Sequence, residues 1–505
     1  MCELTYFEGT VWYKKQFDYN LKKESRLFLY FGAINYLAEV YLNGEKIGSH
    51  EGGFTPFQFE ITDNVLIGTN NIVVMVNNNR QGNGLPGYGY DWLNYGGITR
   101  EVRLIETNNT YISDYFIQLK KGSLETIHGW VKLNGKHPEQ NITLKIPELN
   151  ILFQTKTDKN GLSNIELTSN FGLWSPENPK LYHMVIESET DTIDDNIGFI
   201  CIEVVKNKVL LNKKPIFLKA VSIHEENPYS GKRAFSLEDA KILLIAAKEL
   251  GCNMVRLAHY PHNENMVKEA EKLGLMVWDE LPIYQHINFS DSIVPVKMET
   301  MLEEMIQRDK NRCGVIIWSL SNETYSFTPD RDKELKVLTQ KCRAIDSTRL
   351  ITHVSNMQRY ENNTFIVWDT IYKYSDIISI NEYIGWYVPW QGKPSDVKWK
   401  LVCPDKPVFI SEFGGESLFG SKNGPTDEAA YWTEEYQEDI YKNQIDMFST
   451  IPDLIGVCPW LLFDYKSLGR MHPIYQKGYN RKGLLSEKGE KKKAWYIMNE
   501  YYKRK

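Results

Sequence analysis

Two β-sandwiches followed by a (β/α)8 barrel are what this chain predicts, on three observations. At 505 residues it is too long for one ordinary core. As far as about residue 200 it runs strand after strand, apolar residues alternating in period two between Asn, Gly and Asp turns. After Lys214 the rhythm changes to short apolar runs alternating with amphipathic helical stretches.

The first strands are Gly9-Thr-Val-Trp-Tyr13, Arg26 to Phe31, Ala38 to Glu45 and Asn71 to Val76. Almost no helical periodicity interrupts them, which suits sandwiches. A boundary is expected near Glu106 to Tyr111, and the second sandwich should end near Glu203, giving domains 1–108, 109–204 and 205–505.

Eight apolar runs follow: Ala220 to His224, Met254 to His259, Met276 to Glu280, Val315 to Glu323, Leu350 to His353, Ile377 to Tyr383, Val408 to Glu412 and Ile455 to Trp460. Continuous apolar runs bounded by turn signals suit parallel strands covered on both faces. Between the first two, Ser236-Leu-Glu-Asp239 reads as a capping box and Gly251 as a helix stop. Eight strand–helix units predict a closed barrel, whose strand exits all open on one face.

Composition narrows the function. The chain is 42% hydrophobic and 25% charged, as in an ordinary soluble protein. No apolar stretch approaches the ~18 residues of a membrane span, and the N-terminus has no apolar signal core. A net charge of −6 argues against nucleic acid. The tail lysines (Lys488, Lys491, Lys492, Lys493, Lys503, Lys505) alternate with acids and aromatics, as on a solvated helix face. Cys2, Cys201, Cys252, Cys313, Cys342, Cys403 and Cys458 are odd in number and contain no CxxC pair, so a reducing, cytoplasmic setting is expected. A homo-oligomer is compatible with all of this.

Several polar side chains end the apolar runs: His224, His259, Glu280, Glu323, His353, Tyr383, Glu412 and Trp460. Glu323 and Glu412 are the informative pair. A carboxylate at the exit of a buried strand is poorly placed for stability, since burial disfavours its charge. Each alone could cap a helix or pair with an arginine. Together they are what glycosidic bond cleavage needs: about 5 Å between carboxyls for retention of anomeric configuration, about 6.5 to 9.5 Å for inversion. With Glu412 charged nearby in a partly dry pocket, Glu323 should hold the proton.

The motifs resemble those of the glycoside hydrolases of family 2, which include β-galactosidases, β-glucuronidases and β-mannosidases. The resemblance rests on Phe7-Glu-Gly-Thr-Val-Trp-Tyr13, Asp91-Trp-Leu-Asn-Tyr-Gly-Gly-Ile-Thr-Arg100, His224-Glu-Glu-Asn227, Arg256-Leu-Ala-His-Tyr-Pro261, Trp278-Asp-Glu280, Trp318 to Glu323 and Ile410-Ser-Glu-Phe-Gly414, in the family's order. It implies a sugar-binding jelly-roll-like domain, an immunoglobulin-like sandwich and a catalytic TIM barrel acting with retention. It further implies Glu323 as acid/base and Glu412 as nucleophile. Asn322 would bond the sugar 2-hydroxyl, Tyr383 orient the nucleophile, and His259 and Asp91 bond sugar hydroxyls. Family members carry residues ahead of the Glu-Gly-Thr-Val-Trp-Tyr segment, so the jelly roll is expected to be N-terminally incomplete, with unpaired sheet edges.

Specificity turns on the last loops. Asn480-Arg-Lys482 resembles the carboxylate clamp of β-glucuronidases, and Asn381-Glu-Tyr-Ile-Gly-Trp-Tyr387 is similar to their segment. Against this, Gln476 stands where those enzymes carry an arginine, and some β-galactosidases show a similar Asn-x-Lys-Gly stretch. Trp386, Tyr387 and Trp460 complete the expected sugar contacts, the tryptophans offering flat apolar faces. His259-Tyr-Pro-His262 could suggest a metal, but Pro261 breaks the spacing and no HExxH accompanies it, so neither a catalytic metal nor a cofactor is expected. The reading is an exo-acting retaining β-glycosidase for a β-D-glucuronide on an oligosaccharide or glycoconjugate. A β-galactosidase is the enzyme rival, and a noncatalytic carbohydrate-binding protein the rival of another class.

Overall fold

The structure is a computed structural model describing residues 6–20, 22, 24–325, 328–356, 358–422 and 431–505. Residues 1–5, with Cys2 and the start on which the signal reading rests, lie outside the described residues. So do 423–430.

The period-two alternation folds as expected. In the first sandwich, a sheet ordered Thr10–Tyr19, Gly68–Asn77, Leu37–Leu42, Glu45–Glu51 faces a sheet ordered Phe57–Glu60, Ser25–Phe31, Val102–Asn108. Ile72, Val74 and Val76 turn inward with Ala38, Val40 and Leu42, against Leu27, Leu29 and Phe31. Thr10–Tyr19 and Val102–Asn108 are edge strands, exposing Trp12, Val102 and Leu104. The second sandwich pairs Thr110–Leu119, Thr126–Gly135 and Leu162–Thr168 over a four-stranded sheet. Its core includes Ile117, Val131, Leu144 and Ile186.

The closed parallel barrel comprises β1 (Leu218–Ile223), β2 (Met254–Leu257), β3 (Met276–Glu280), β4 (Val315–Asn322), β5 (Leu350–Ser355), β6 (Ile378–Asn381), β7 (Val408–Glu412) and β8 (Leu454–Val457). Its lower interior is filled by Leu218, Met254, Met276 and Ile317, packed with Trp174, Ile202, Val209 and Leu211 from the preceding chain. Ser236 caps helix α1 (Leu237–Leu250) in a reciprocal box with Asp239, and Gly251 ends it at φ +95°. Helices α2 (Glu264–Lys272), α3 (Ile293–Asp309) and α4 (Pro329–Ile345) follow β2, β3 and β4. α5 (Glu434–Phe448) and α6 (Lys493–Arg504) follow β7 and β8.

The expectation of eight strand–helix units is corrected here. After β5 the described chain forms a hairpin, Gln358–Glu361 with Thr364–Val367, and after β6 a strand, Lys398–Leu401, joins it. The Asn362-Asn363 turn, with both residues at positive φ, and the alternating burial of Thr364 to Val367 suit a hairpin, not a 3.6-residue period.

The sandwiches are tied to the barrel by ion pairs and backbone caps. Arg100 is buried, donating to Phe54 O at 2.7 Å, to Pro261 O at 2.7 Å and to Glu225 at 3.0 Å. It thereby holds the segment containing Asp91 and Trp92 against the barrel mouth. Lys310 Nζ reaches Asp114 at 2.6 Å from the second sandwich. No helix among the described residues is long and apolar enough to cross a membrane. The described cysteines are all unpaired.

Candidate active site

Arg256 is the arginine inside the apolar run of β2, and its side chain is fully buried. Its Nε and Nη2 donate to Glu280 at 3.0 and 3.1 Å, Nη1 to Glu412 Oε1 at 2.8 Å, and Nη2 to Asn322 Oδ1 at 2.8 Å. An unpaired buried guanidinium would cost several kcal/mol, so these acceptors are required for the fold as well as placed by it. Glu280 also accepts from Trp278 Nε1 at 2.8 Å and Ser319 Oγ at 3.0 Å. Burial works to raise its pKa, but the Arg256 charge and the His259 bond overcome this and bring it down to about 2. Burial pushes His259 down to about 4, so its ring is neutral. With Nδ1 2.7 Å from the Glu280 carboxylate, Nδ1 carries the hydrogen and Nε2 faces Glu412 Oε1 at 3.6 Å.

Glu323 directly follows β4 in the left-handed region at φ +51°, a backbone strain that only surrounding structure can hold. Its Oε1 accepts from Asn381 Nδ2 at 2.9 Å and its Oε2 from Gln285 Nε2 at 3.0 Å. Glu412, ending β7, accepts from Arg256 and from Tyr383 OH at 2.8 Å. The two carboxyls therefore differ in kind: amides hold one, and a guanidinium and a phenol hold the other. Burial lifts Glu323 above the usual carboxylate range. It also pushes Glu412 up to about 8, the negative charge of Glu323 adding to burial against Arg256 and Tyr383. Burial thus raises both carboxyls, and the rise at Glu323 agrees in direction with the expectation that it holds a proton.

These groups open on a cavity of about 580 Å³. Asp91, His259, Glu323, Asn381, Tyr383, Tyr387, Glu412, Trp460, Asn480 and Lys482 all line it. Trp460 lies nearly parallel to His259, ring centroids 4.7 Å apart. Asp91 accepts from Arg470 Nη2 at 2.6 Å, from Asn480 Nδ2 at 3.1 Å and from Ser467 Oγ. Although burial opposes it, the Arg470 charge keeps Asp91 below the usual range. Lys482 Nζ sits 2.9 Å from Tyr387 OH and 3.4 Å from Glu416 Oε1.

Three singled-out residues stand behind this wall. Asn322 is buried beneath it, its Oδ1 engaged by Arg256 and Asn381. Trp386 lies beside Lys482, 5.9 Å from ring centroid to Nζ. Gln476 donates to Glu416 Oε2 at 2.9 Å and is turned from the cavity. His224 and His353 are also outside it: His353 is buried between Ser321 and Thr339 hydroxyls, and His224 bonds the Tyr260 hydroxyl at 3.2 Å. His262 bonds Ala258 O at 3.1 Å, away from His259. Among the described residues no group of three or more His, Cys, Asp or Glu could hold a metal ion.

The sequence reading missed Gln285, Arg470 and the central role of Arg256. Only Arg256 left a local signal, a charge in a run where every neighbour is apolar.

Three family models match the chain in order. The description "Glycosyl hydrolases family 2, sugar binding domain" covers residues 2–108, "Glycosyl hydrolases family 2" 110–199, and "Glycosyl hydrolases family 2, TIM barrel domain" 202–503. Among curated relatives, a β-glucuronidase of Streptococcus agalactiae is 27% identical over 98% of this chain and 90% of its own length. One of Rattus norvegicus is 28% identical over 99% and 82%. A solved β-glucuronidase of an uncultured Clostridium superposes with a TM-score of 0.85 at 26% identity, over 100% of this chain and 89% of that one.

Proposed function

The chain belongs to glycosyl hydrolase family 2, and from that premise we propose that it is a retaining exo-β-glycosidase removing a terminal β-D-glucuronic acid. The observation that carries the mechanism is the unequal support of Glu323 and Glu412 in one cavity. In the productive protonation state Glu412 is ionised, stabilised by Arg256 and Tyr383, and Glu323 holds a proton. Glu412 attacks the anomeric carbon while Glu323 protonates the departing oxygen, forming a glycosyl ester and a free alcohol. Glu323, now a carboxylate, takes a proton from water, whose oxygen attacks the same carbon and frees Glu412. Asn322 lies beneath the cavity wall, where its Oδ1 holds Arg256 and Asn381 in place, so its part in this reading is to position those two side chains.

The sugar assignment rests on Lys482. Its ammonium lines the cavity beside the Asn480 amide, where both could meet a C6 carboxylate. The relatives' names point the same way. One observation favours a neutral sugar instead: Glu416 and Asp91 already face Lys482 and Arg470, offsetting their charge. That second reading is a β-galactosidase.

Turnover of 4-nitrophenyl β-D-glucuronide and β-D-galactoside by the purified protein decides between them. We expect the glucuronide to be cleaved with the higher kcat/KM; preference for the galactoside would overturn the sugar assignment and leave the hydrolytic mechanism standing.

A further inference from the structure

In the first sandwich the strand Thr10–Tyr19 pairs with Gly68–Asn77 along its whole length, and among the described residues no strand pairs with its other edge. A bare edge offers a row of backbone donors and acceptors to another strand. The pairing already present fixes which residues make that row, because in an antiparallel ladder residues that bond one neighbour alternate with residues that turn away from it. Asn78 N donates to Gly9 O at 3.2 Å, so Gly9 and the odd-numbered residues after it bond the Gly68–Asn77 strand. The opposite side of that strand agrees in phase: Asn77 O and Asn71 O accept from Tyr36 and Asn43 there. Trp12, Lys14, Gln16 and Asp18 therefore turn their N–H and C=O groups outward.

The side chains restrict the partner further. Trp12 and Tyr13 are exposed, and Phe17 and Tyr19 are half-buried at the rim of the sandwich core. Lysines on an edge normally oppose pairing, since a second lysine directly across repels. For an antiparallel copy of the same strand, matching outward groups to outward groups leaves few registers. A two-fold axis at Lys14 or at Lys15 sets that lysine against itself, and an axis at Asp18 sets aspartate against aspartate. With the axis at Gln16, Lys14 lies across from Asp18 of the second copy, and Asp18 across from its Lys14. The same register sets Tyr13 across from Tyr19 and Gln16 across from itself, so the charges that block the other pairings select this one.

We propose that Thr10–Tyr19 is the contact between two copies of this chain, joined edge to edge about a two-fold axis at Gln16 into one continuous antiparallel sheet. Such a contact uses the same surface on both copies and closes on itself, so it yields a dimer and not a fibre. Val102 and Leu104 are exposed on the neighbouring edge strand, which Tyr19 reaches through its bond to Glu106. They lie on the same side of the sandwich and widen the apolar part of the contact.

Sedimentation velocity of the full chain over ~1–100 µM should show a dimer that dissociates on dilution, as mass action requires. Gln16→Pro removes the outward N–H at the axis and leaves every backbone bond to Gly68–Asn77 in place, so it should fold and stay monomeric. Lys14→Glu should raise the dimer dissociation constant by about tenfold or more, and adding Asp18→Lys should restore it. A monomer throughout the range would overturn the contact, and so would a dimer that Gln16→Pro leaves intact. Failure of the second swap to restore association would overturn the register. Amide hydrogen exchange reads the same contact in the unaltered protein, whether or not the variants fold. Exchange in Thr10–Tyr19 should be slower at the high concentration than at the low one; equal rates would overturn the proposal.

Discussion

Arg256 Nη1 lies 2.8 Å from Glu412 Oε1, while the rest of the same guanidinium grips Glu280 and Asn322. One buried cation therefore joins the β7 glutamate to the β3 and β4 exits. Truncation to Arg256→Met would leave two buried carboxylates without their cation and should cost ~3–5 kcal/mol in urea unfolding. Arg256→Lys keeps the charge but cannot reproduce the fork. It should fold and yet lose about 100-fold in kcat, because Glu412 is no longer held in line. A kcat within a few-fold of the parent would refute the positioning role.

The glutamate pair predicts a bell-shaped dependence of kcat/KM on pH. Burial raises both Glu323 and Glu412, the latter to about 8, so the site keeps a proton into the neutral range and loses it as pH climbs further. The acid needed for protonating the leaving oxygen is then gone, so activity falls on the alkaline side. On the acid side a second proton neutralises the nucleophile and activity falls again. A plateau extending far above pH 8 in the pH–rate profile would contradict Glu323 as the acid.

Glu382, between Asn381 and Tyr383, is buried with no cation paired to it among the described residues, and burial lifts its carboxyl from 4.5 to about 7. It accepts from the Ile384 N–H at 3.0 Å and the Gln444 amide at 3.2 Å, which only partly offset the burial. Between those pH values the unfolded chain has released the proton and the folded chain still holds it. Stability therefore falls as pH rises across that window, by ~1.4 kcal/mol per unit and roughly 3 kcal/mol in all, then levels off. Glu382→Gln keeps the shape without the charge. Urea midpoints at pH 5 and pH 8 should show the variant gaining on the parent at the higher pH; parallel midpoints would refute the neutral acid.

Lys482→Ala should raise KM for the aryl glucuronide and cut kcat/KM by about 10- to 100-fold, the effect of losing a charge-assisted hydrogen bond. Turnover of a β-galactoside should change far less. An equal effect on both substrates would make Lys482 a support for Tyr387 and Glu416, not a contact to a carboxylate.

Much of this was legible before folding. Period-two alternation in Asn71 to Val76 and the apolar runs ending at Glu323 and Glu412 reflect burial that acts residue by residue, so pattern alone finds them. The hairpin after β5 was not found, because four-residue strands and a positive-φ Asn pair give a weaker signal than a helix-length period. Gln476 and Arg470 show the limit from the other side. They lie six residues apart in one loop, and only loop geometry decides which of the two side chains enters the cavity. Arg256 required both levels: the sequence marks a charge among apolar residues, and folding shows the glutamates it serves.

The central claim is that Glu412 bonds covalently to the sugar while Glu323 moves protons. Incubation with a 2-deoxy-2-fluoro-β-D-glucuronosyl fluoride, followed by peptide mass spectrometry, tests it directly. The account predicts stoichiometric inactivation with the fluorosugar attached to the peptide containing Glu412. A label on Glu323, or release of fluoride without any covalent adduct, would contradict it.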